Sequence, residues 1–514
     1  MKPSLNLWTE PWITVEQRDG TLADKSMEAT LLDATELRAI HDPSPLVVVS
    51  IHRLLTAVLQ DTFDPQDEDD LKALWVSGRF PEADLRAFGE QYADRFDLFS
   101  EEVPFLQSAD IPLEPGKKRW DIALLFQEFP TGTFVTHYQH GLASDHVFCP
   151  KCAARGLVTI PAFASSGGAG IKPSINGVPP IYVLPGGKTL FEQLWASLIL
   201  PEFQPAAAST RKDKVWWRRD PIVAYKGSVT EVSYLHSLTF PARRVRLHPE
   251  PVTSACTRCG QRSSVGVRTM IYQMGESRPK DAPFWLDPFA AYRMRGTEGP
   301  TPIRPWEDKA LWREFASLFL PMTKEEGAKE VTIPPSVLYQ RGALAGDVGP
   351  DYELFPVRSV GLRTDMKAKT FEWLDAGFGV PASLLRDPAG SDEVRRGLEF
   401  ATDCARTLAG VFHGAFSREG AQHHTEVKNR MLAAYWSALA APFREFVLGV
   451  AMPSTRPGAR VAWVTRVVEE GETAFVTAAE SIGDNAGALR RRVEGIAKCK
   501  GALYARQKKV LGDE

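Results

Sequence analysis

Two Cys-x-x-Cys pairs constrain this chain more than any other feature. Cys149-Pro150-Lys151-Cys152 and Cys256-Thr257-Arg258-Cys259 share one spacing and are separated by residues 153–255. A two-residue gap lets both thiolates reach one cation, and four thiolates close a tetrahedral zinc site with no position left for water. A shared metal therefore demands a fold that brings two distant segments together. We expect one structural Zn2+ held by Cys149, Cys152, Cys256 and Cys259. A redox dithiol is disfavoured, because neither pair reads as opening a helix after a strand. Cys404 and Cys499 fall in helical patterns and read as small core residues. Six cysteines in 514 residues are too few for a disulfide scaffold, which points to a reducing, cytoplasmic setting.

Between the pairs lies Ser165-Ser166-Gly167-Gly168-Ala169-Gly170-Ile171-Lys172. Glycines leave backbone N–H groups free to approach another molecule closely, and Lys172 adds a positive charge beside them. A phosphate backbone or a narrow groove suits that geometry; a plain surface turn is the competing reading. The segment matches neither the P-loop nor GxGxxG. After the second pair, Glu276-Ser277-Arg278-Pro279-Lys280 is a proline-stiffened stretch with two cations. Lys214-Val215-Trp216-Trp217-Arg218-Arg219 and Arg243-Arg244-Val245-Arg246 mix bases with apolar residues, as either a nucleic-acid face or a strand edge with snorkelling arginines. The formal net charge is −3, so any nucleic-acid contact must come from such local patches. No HExxH, GxSxG or Walker motif occurs, and the chain reads as a binding protein rather than an enzyme.

The expected fold class is α+β. A large, irregular α/β domain with the zinc-stapled region spans residues 1–380, and a C-terminal four-helix bundle spans 381–514. In the first part Leu5–Val15, followed by Asp19-Gly20, reads as a strand entering a hairpin, and Leu46–Leu59 as an apolar helix. From Ser391 onward the apolar residues Val394, Leu398, Ala401, Ala405, Leu408 and Phe412 follow helical spacing. Three more helices are expected, with Pro442 kinking or breaking the second. Residues 484–514 hold eight basic and four acidic side chains. No apolar run of membrane-spanning length and no secretory leader is read from the sequence.

Taken together, these features resemble the CasA family, the large subunit of the type I-E CRISPR surveillance complex Cascade. The resemblance is carried by Leu5-Asn6-Leu7 with Glu10-Pro11-Trp12-Ile13, by Arg95–Phe99 with Pro104–Gln107, and by both cysteine pairs. The glycine segment, Tyr234-Leu235-His236 leading to Pro241–Leu247, and the terminal helices complete it. It implies a non-enzymatic subunit that reads the protospacer-adjacent motif (PAM) of double-stranded DNA from the minor groove and starts strand separation. It also implies contacts with other Cascade subunits and docking of a helicase-nuclease.

Carried over by position, the glycine loop is Gly167, Gly168, Ala169 and Gly170, with Lys172 beside it. The basic finger falls at Glu276–Lys280, where Arg278 or Lys280 takes the cationic role. The wedge is Arg363-Thr364-Asp365-Met366-Lys367, with Met366 in place of a glutamine. Phe134, His137, Tyr138 and His140 match a loop used near the guide RNA's 5′ end. The competing function is a zinc-dependent nucleic-acid enzyme, a nuclease or deaminase, which would need an open metal position and a general base.

Overall fold

Ser44 and Pro45 start the helix around which the N-terminal part is built, Pro45–Phe63. Proline suits the first helical turn, where its missing N–H would have no partner. Every residue from Pro45 to Asp61 is buried, so the polar side chains on this helix must find partners inside the protein. They do so at points far along the chain. Gln60 exchanges hydrogen bonds with both backbone groups of Ile199 (3.0 and 2.9 Å). Asp61 accepts from Trp217 Nε1 (2.7 Å) and Arg218 Nε (2.8 Å). Arg53 forms a fork with both carboxylate oxygens of Asp287 (2.9 and 2.7 Å). His52 Nε2 lies 2.8 Å from Ser197 Oγ. Burial, then the charge of Arg53, pushes the His52 pKa down to about 3, so this ring is neutral in the folded protein. The helix is long and apolar enough to cross a membrane, contrary to the expectation that no such run exists, but it is the core of its unit.

The structure, a computed structural model, describes residues 3–512 apart from 115, 117, 128, 130–145, 166–170, 211, 213, 220–228, 280, 296–298, 307–308, 321–329, 345–347, 350–352, 365–369, 418–420 and 484. It divides into two units, Met1–Pro305 with Lys329–Gly379, and Trp306–Ala328 with Val380–Glu514.

In the first unit small sheets surround the core helix. Ile13–Gln17 is the central strand between Leu22–Lys25 and Leu37–Ile40, antiparallel to both. Gly20 makes its hairpin turn at φ +85°, and the strand starts at Ile13, later than the Leu5–Val15 reading placed it. The long antiparallel pair Arg243–Pro251 and Val265–Met274 carries Trp120–Asp121 on its far edge. A third sheet orders Thr370–Pro381, Leu354–Thr364 and Tyr182–Pro185 side by side.

Among the described residues, the C-terminal stretch of the second unit has five α-helices rather than four: Pro388–Phe416, Ala421–Ala438, Ala440–Val450, Arg456–Glu480 and Ala486–Leu511. The expected second helix is interrupted at Leu439. Pro442 has no N–H to offer the Ala438 carbonyl, and the chain restarts its helix at Ala440, after a break of one residue. Gly397 lets helices approach closely, since a Cβ there would lie 2.4 Å from the Phe446 ring. The Gly397 carbonyl then accepts from Trp463 Nε1 (2.9 Å). Cys404 and Cys499 are buried core residues, as their pattern implied. Arg492 does not face solvent as a free cation; it donates to the carbonyls of Glu480, Ile482 and Gly483 (3.2, 3.2 and 3.0 Å) and closes the end of the preceding helix.

Removing one partner of the buried fork leaves the other charged in an apolar interior. Asp287→Ala is expected to cost about 3–5 kcal/mol, and the pair exchange Arg53→Met with Asp287→Leu less than that. Urea denaturation of the purified chain measures both. A loss below about 1 kcal/mol for Asp287→Ala would show that the fork does not hold this core.

Candidate nucleic-acid interface and metal centre

The ligand sulfurs of Cys149, Cys152, Cys256 and Cys259 all lie within 4.8 Å of one another. Cys149 Sγ and Cys259 Sγ are 3.7 Å apart. A tetrahedron of 2.3 Å zinc–sulfur bonds has edges of about 3.8 Å, so the donor set and its size fit one metal ion. Cys149 is the N-cap of the helix Pro150–Leu157, with Pro150 in its first turn. The first pair therefore opens a helix, but among the described residues no strand leads directly into it, only the isolated bridge at Phe148. The second pair is a tight turn: Gly260 N–H donates to the Cys256 carbonyl (2.8 Å), and Gly260 takes φ +73°, which favours glycine.

The two knuckles are also pinned without metal. Thr257 N–H donates to the Val147 carbonyl (2.7 Å), and Val147 N–H to Thr257 Oγ1 (2.9 Å). Arg258, between the two cysteines, forks onto Asp42 and stacks over Phe126 at 4.2 Å. Asp42 is thus a buried anchor of the knuckle. A hydrogen bond from Cys152 pulls the Cys259 thiol down to about 6, and those from Cys149 and Cys152 hold Cys256 well below the ordinary thiol range.

The Gly167, Gly168, Ala169 and Gly170 positions lie outside the described residues, but both ends of their segment are fixed. Arg243, at the start of the strand Arg243–Pro251, donates to the Lys172 carbonyl (2.7 Å) and to the Ser165 carbonyl. Just outside these, Ser174 N–H donates to the Ala164 carbonyl (2.8 Å) and Ser174 Oγ to Pro161 O (2.6 Å). Lys172 N–H points at Met274 Sδ (3.2 Å). Its side chain is exposed or partly exposed along with Ile171.

From Met274 the chain runs directly into the expected basic finger. Gly275 N–H donates to the Ala242 carbonyl (3.1 Å) and Glu276 N–H to the Pro241 carbonyl (2.9 Å). Gly275 is required here: a Cβ would lie 2.1 Å from the Pro241 carbonyl oxygen. The segment flanking the glycines and the start of the finger are therefore mounted on the same three residues, Pro241–Arg243.

A family model described as CRISPR-associated protein Cse1 matches residues 6–473. The chain belongs to the CasA/Cse1 family. That is the large-subunit family of type I-E Cascade which the sequence features resemble. CasA/Cse1 of Thermus thermophilus is 29% identical over 418 residues, covering 78% of this chain and 76% of that protein. The crystal structure of Cse1 from Acidimicrobium ferrooxidans superposes with a TM-score of 0.79 at 21% identity, covering 99% of each chain. A chain of a CRISPR RNA-guided surveillance complex matches at 0.74 and 18% identity, over 98% of this chain and all of that one (100%).

The structure places some of the residues expected to contact DNA and gives their partners. Glu276 is no finger: it is buried and accepts from His236 Nε2 (2.7 Å) and Arg219 Nη2 (2.6 Å). Burial raises its pKa, but the hydrogen bond from His236 and the charges of His236 and Arg219 outweigh this and hold it below the ordinary value. Arg278 is half-buried with its guanidinium 5.8 Å from the Trp285 ring centre, and burial lowers its pKa. Lys280 lies outside the described residues. Arg363 and Thr364 end the strand Leu354–Thr364, where Arg363 pairs with Glu372 (2.8 Å) across the hairpin. Asp365, Met366 and Lys367 lie outside the described residues, as do Phe134, His137, Tyr138 and His140.

The aromatic members of the mixed stretches are interior, while Lys214 and Arg218 beside them are exposed. Val215, Trp216 and Trp217 are buried, and Arg244 pairs with Asp110 (2.6 Å). Charge counting could not have separated these arginines from a DNA face. The excess of local carboxylates that pair with them is spread across the sequence.

The metal is testable directly. Cys256→Ser combined with Cys259→Ser is expected to release one equivalent of metal and to lower stability by about 3 kcal/mol or more. Elemental analysis and thermal melting measure both. Wild-type protein purified without stoichiometric metal would contradict the assignment.

Proposed function

We propose that this chain is the non-catalytic, PAM-reading subunit of a type I-E CRISPR surveillance complex. The observation that carries the reading is the shared mount: the glycine-segment ends and the first residues of the finger stretch are hydrogen-bonded to Pro241–Arg243. The described backbone that flanks two candidate DNA contacts, far apart in sequence, meets on one mount, which supports the reading. The minor groove is only about 6 Å wide, and a reader there must be thin. Backbone of Gly167, Gly168, Ala169 and Gly170 meets that need, with Lys172 adding a phosphate contact and Arg278 or Lys280 a second cation. The groove's degenerate code implies tolerance of several related PAMs.

In this reading the hairpin end Arg363–Lys367 is the wedge that starts strand separation, and an apolar Met366 suits insertion between base steps. The 134–140 loop lies near the guide RNA's 5′ end. The C-terminal helices act as one four-membered bundle, with Ala421–Ala438 and Ala440–Val450 together as its broken second member, facing the small subunits, and the whole subunit is the docking platform for a helicase-nuclease in cytoplasmic antiviral defence. Zinc at the four cysteines is structural. Their thiolates fill every tetrahedral position, leaving none for a metal-bound water, so the donor set does not support a zinc nuclease or deaminase.

The test uses the assembled complex with its guide RNA and two duplexes, one with the correct PAM and one scrambled. Gly168→Asp is expected to abolish the preference between them, because the side chain fills the groove and repels phosphate. Lys172→Ala is expected to weaken both duplexes alike and to reduce the salt slope by about one. Full preference retained by an assembled Gly168→Asp complex would sink the proposal.

A further inference from the structure

The four thiols of the metal centre differ sharply in exposure. Cys149, Cys152 and Cys256 are 5%, 0% and 3% exposed, whereas Cys259 is exposed. Cys259 stands at the wall of a cavity of about 410 Å³ beside the centre, with Leu22, Asp24, Lys151 and Gln261 among its other walls. Hydrogen bonds hold that cavity in shape. Asp24 accepts from Lys151 Nζ (2.8 Å) and from Arg155 Nη2 (3.3 Å), and Arg155 Nη2 also donates to Thr14 Oγ1 (2.7 Å). Partly exposed surroundings that carry cations are where reactive cysteines occur, and sulfur oxidation follows access. Cys149 Sγ, from the other knuckle, lies 3.7 Å from Cys259 Sγ. A movement of under about 2 Å would bring the two sulfurs to bonding distance.

We propose that this cavity admits a peroxide to Cys259, and that Cys259 with Cys149 is the pair the peroxide converts into a disulfide. The inference rests on the reading of the four cysteines as a metal centre and goes beyond it. In the first step the Cys259 thiolate attacks one peroxide oxygen. The S–O bond forms, the O–O bond breaks, and the departing hydroxide takes a proton to become water. The Cys149 thiolate then attacks the sulfur of the resulting sulfenic acid. The S–S bond forms, the S–O bond breaks, and a second hydroxide leaves as water. Two thiolates, one hydrogen peroxide and two protons thus give one disulfide and two waters, the sulfurs losing the two electrons that the peroxide gains. With half its donors gone, the cation is released. The disulfide joins the same two segments that the metal joined. The Thr257–Val147 and Arg258–Asp42 hydrogen bonds use no sulfur, so the knuckles stay in place while the staple changes its chemistry.

The experiment treats the purified full chain, loaded with Zn2+, with hydrogen peroxide. Zinc release is followed with a chromogenic chelator, and disulfides are then mapped by alkylation and peptide mass spectrometry. The expected product carries a Cys149–Cys259 link, with Cys152 and Cys256 alkylated as free thiols. A thiol reductant with added Zn2+ is expected to restore the bound metal. The oxidised protein is expected to melt closer to the untreated protein than the double variant Cys256→Ser with Cys259→Ser does. Leu22→Trp and Gln261→Trp fill the cavity from two separate segments, and each is expected to slow zinc release at least about threefold, since oxidation follows access. A link within either Cys-x-x-Cys pair, or oxidation of Cys259 without a link to Cys149, overturns the proposal. So does a release rate that neither tryptophan changes. If one tryptophan variant fails to fold the other decides, and if both fail the linkage map does. A chain that binds no Zn2+ overturns the metal reading instead, and the linkage map alone then decides the modification site.

Discussion

The Arg53–Asp287 fork is the interaction on which the N-terminal unit depends. Its two residues are 234 positions apart and almost completely buried. Asp287 also accepts from Asn176 Nδ2 (2.8 Å), and Asn176 donates to the Tyr182 hydroxyl (3.0 Å), which in turn donates to the Ala162 carbonyl (2.9 Å). Arg53 sits against the rings of Tyr182 and Phe289 (4.8 and 5.2 Å). Such a pair adds little net stability over a well-packed apolar substitute. It does make most wrong arrangements expensive, because either charge left alone in that interior is strongly unfavourable. The network therefore fixes where the chain leaves the core before the glycine segment, at Ala162, and where it returns, at Asn176.

Most of the arginines that looked available for DNA are consumed by the fold. Arg218 reaches Asp61, Arg219 reaches Glu276, Arg244 reaches Asp110, and Arg492 closes a helix end. With a net charge of −3, the proposed nucleic-acid role has to rest on local patches rather than on the total charge. Arg243 and Arg278, beside which the described residues place no carboxylate, lie on or next to Pro241–Arg243, which holds the ends of the glycine segment. Local placement, rather than total charge, sets the field at a binding surface.

The sequence carried much of this, for physical reasons that can be stated. Four thiols at matched spacing have few uses, so the cluster was legible in the cysteine pairs alone. Helical periodicity exposed the C-terminal helices, and Pro442 marked the interruption, though one missing N–H was enough to make two helices of one. What stayed hidden were partners. Nothing in Glu276 itself tells that His236 and Arg219 hold it inside, and nothing in His41-Asp42-Pro43 tells that Asp42 receives Arg258 from 216 positions away. A polar residue's role depends on where the chain returns, and only the fold supplies that. The burial of His52 and Arg53 inside an apolar helix was the one available signal, since charges there require buried partners.

The central claim is that this family member reads duplex DNA from the minor groove, and base analogues test it most directly. In the assembled complex, PAM guanines are replaced by inosine, which deletes the minor-groove amino group. In a parallel duplex, PAM purines are replaced by their 7-deaza forms, which alter only the major-groove edge. The account predicts that inosine, or the amino group added by 2,6-diaminopurine in place of adenine, changes affinity, while the 7-deaza duplex binds as the unmodified one does. Affinity that responds to the 7-deaza change and ignores the minor-groove analogues would contradict it.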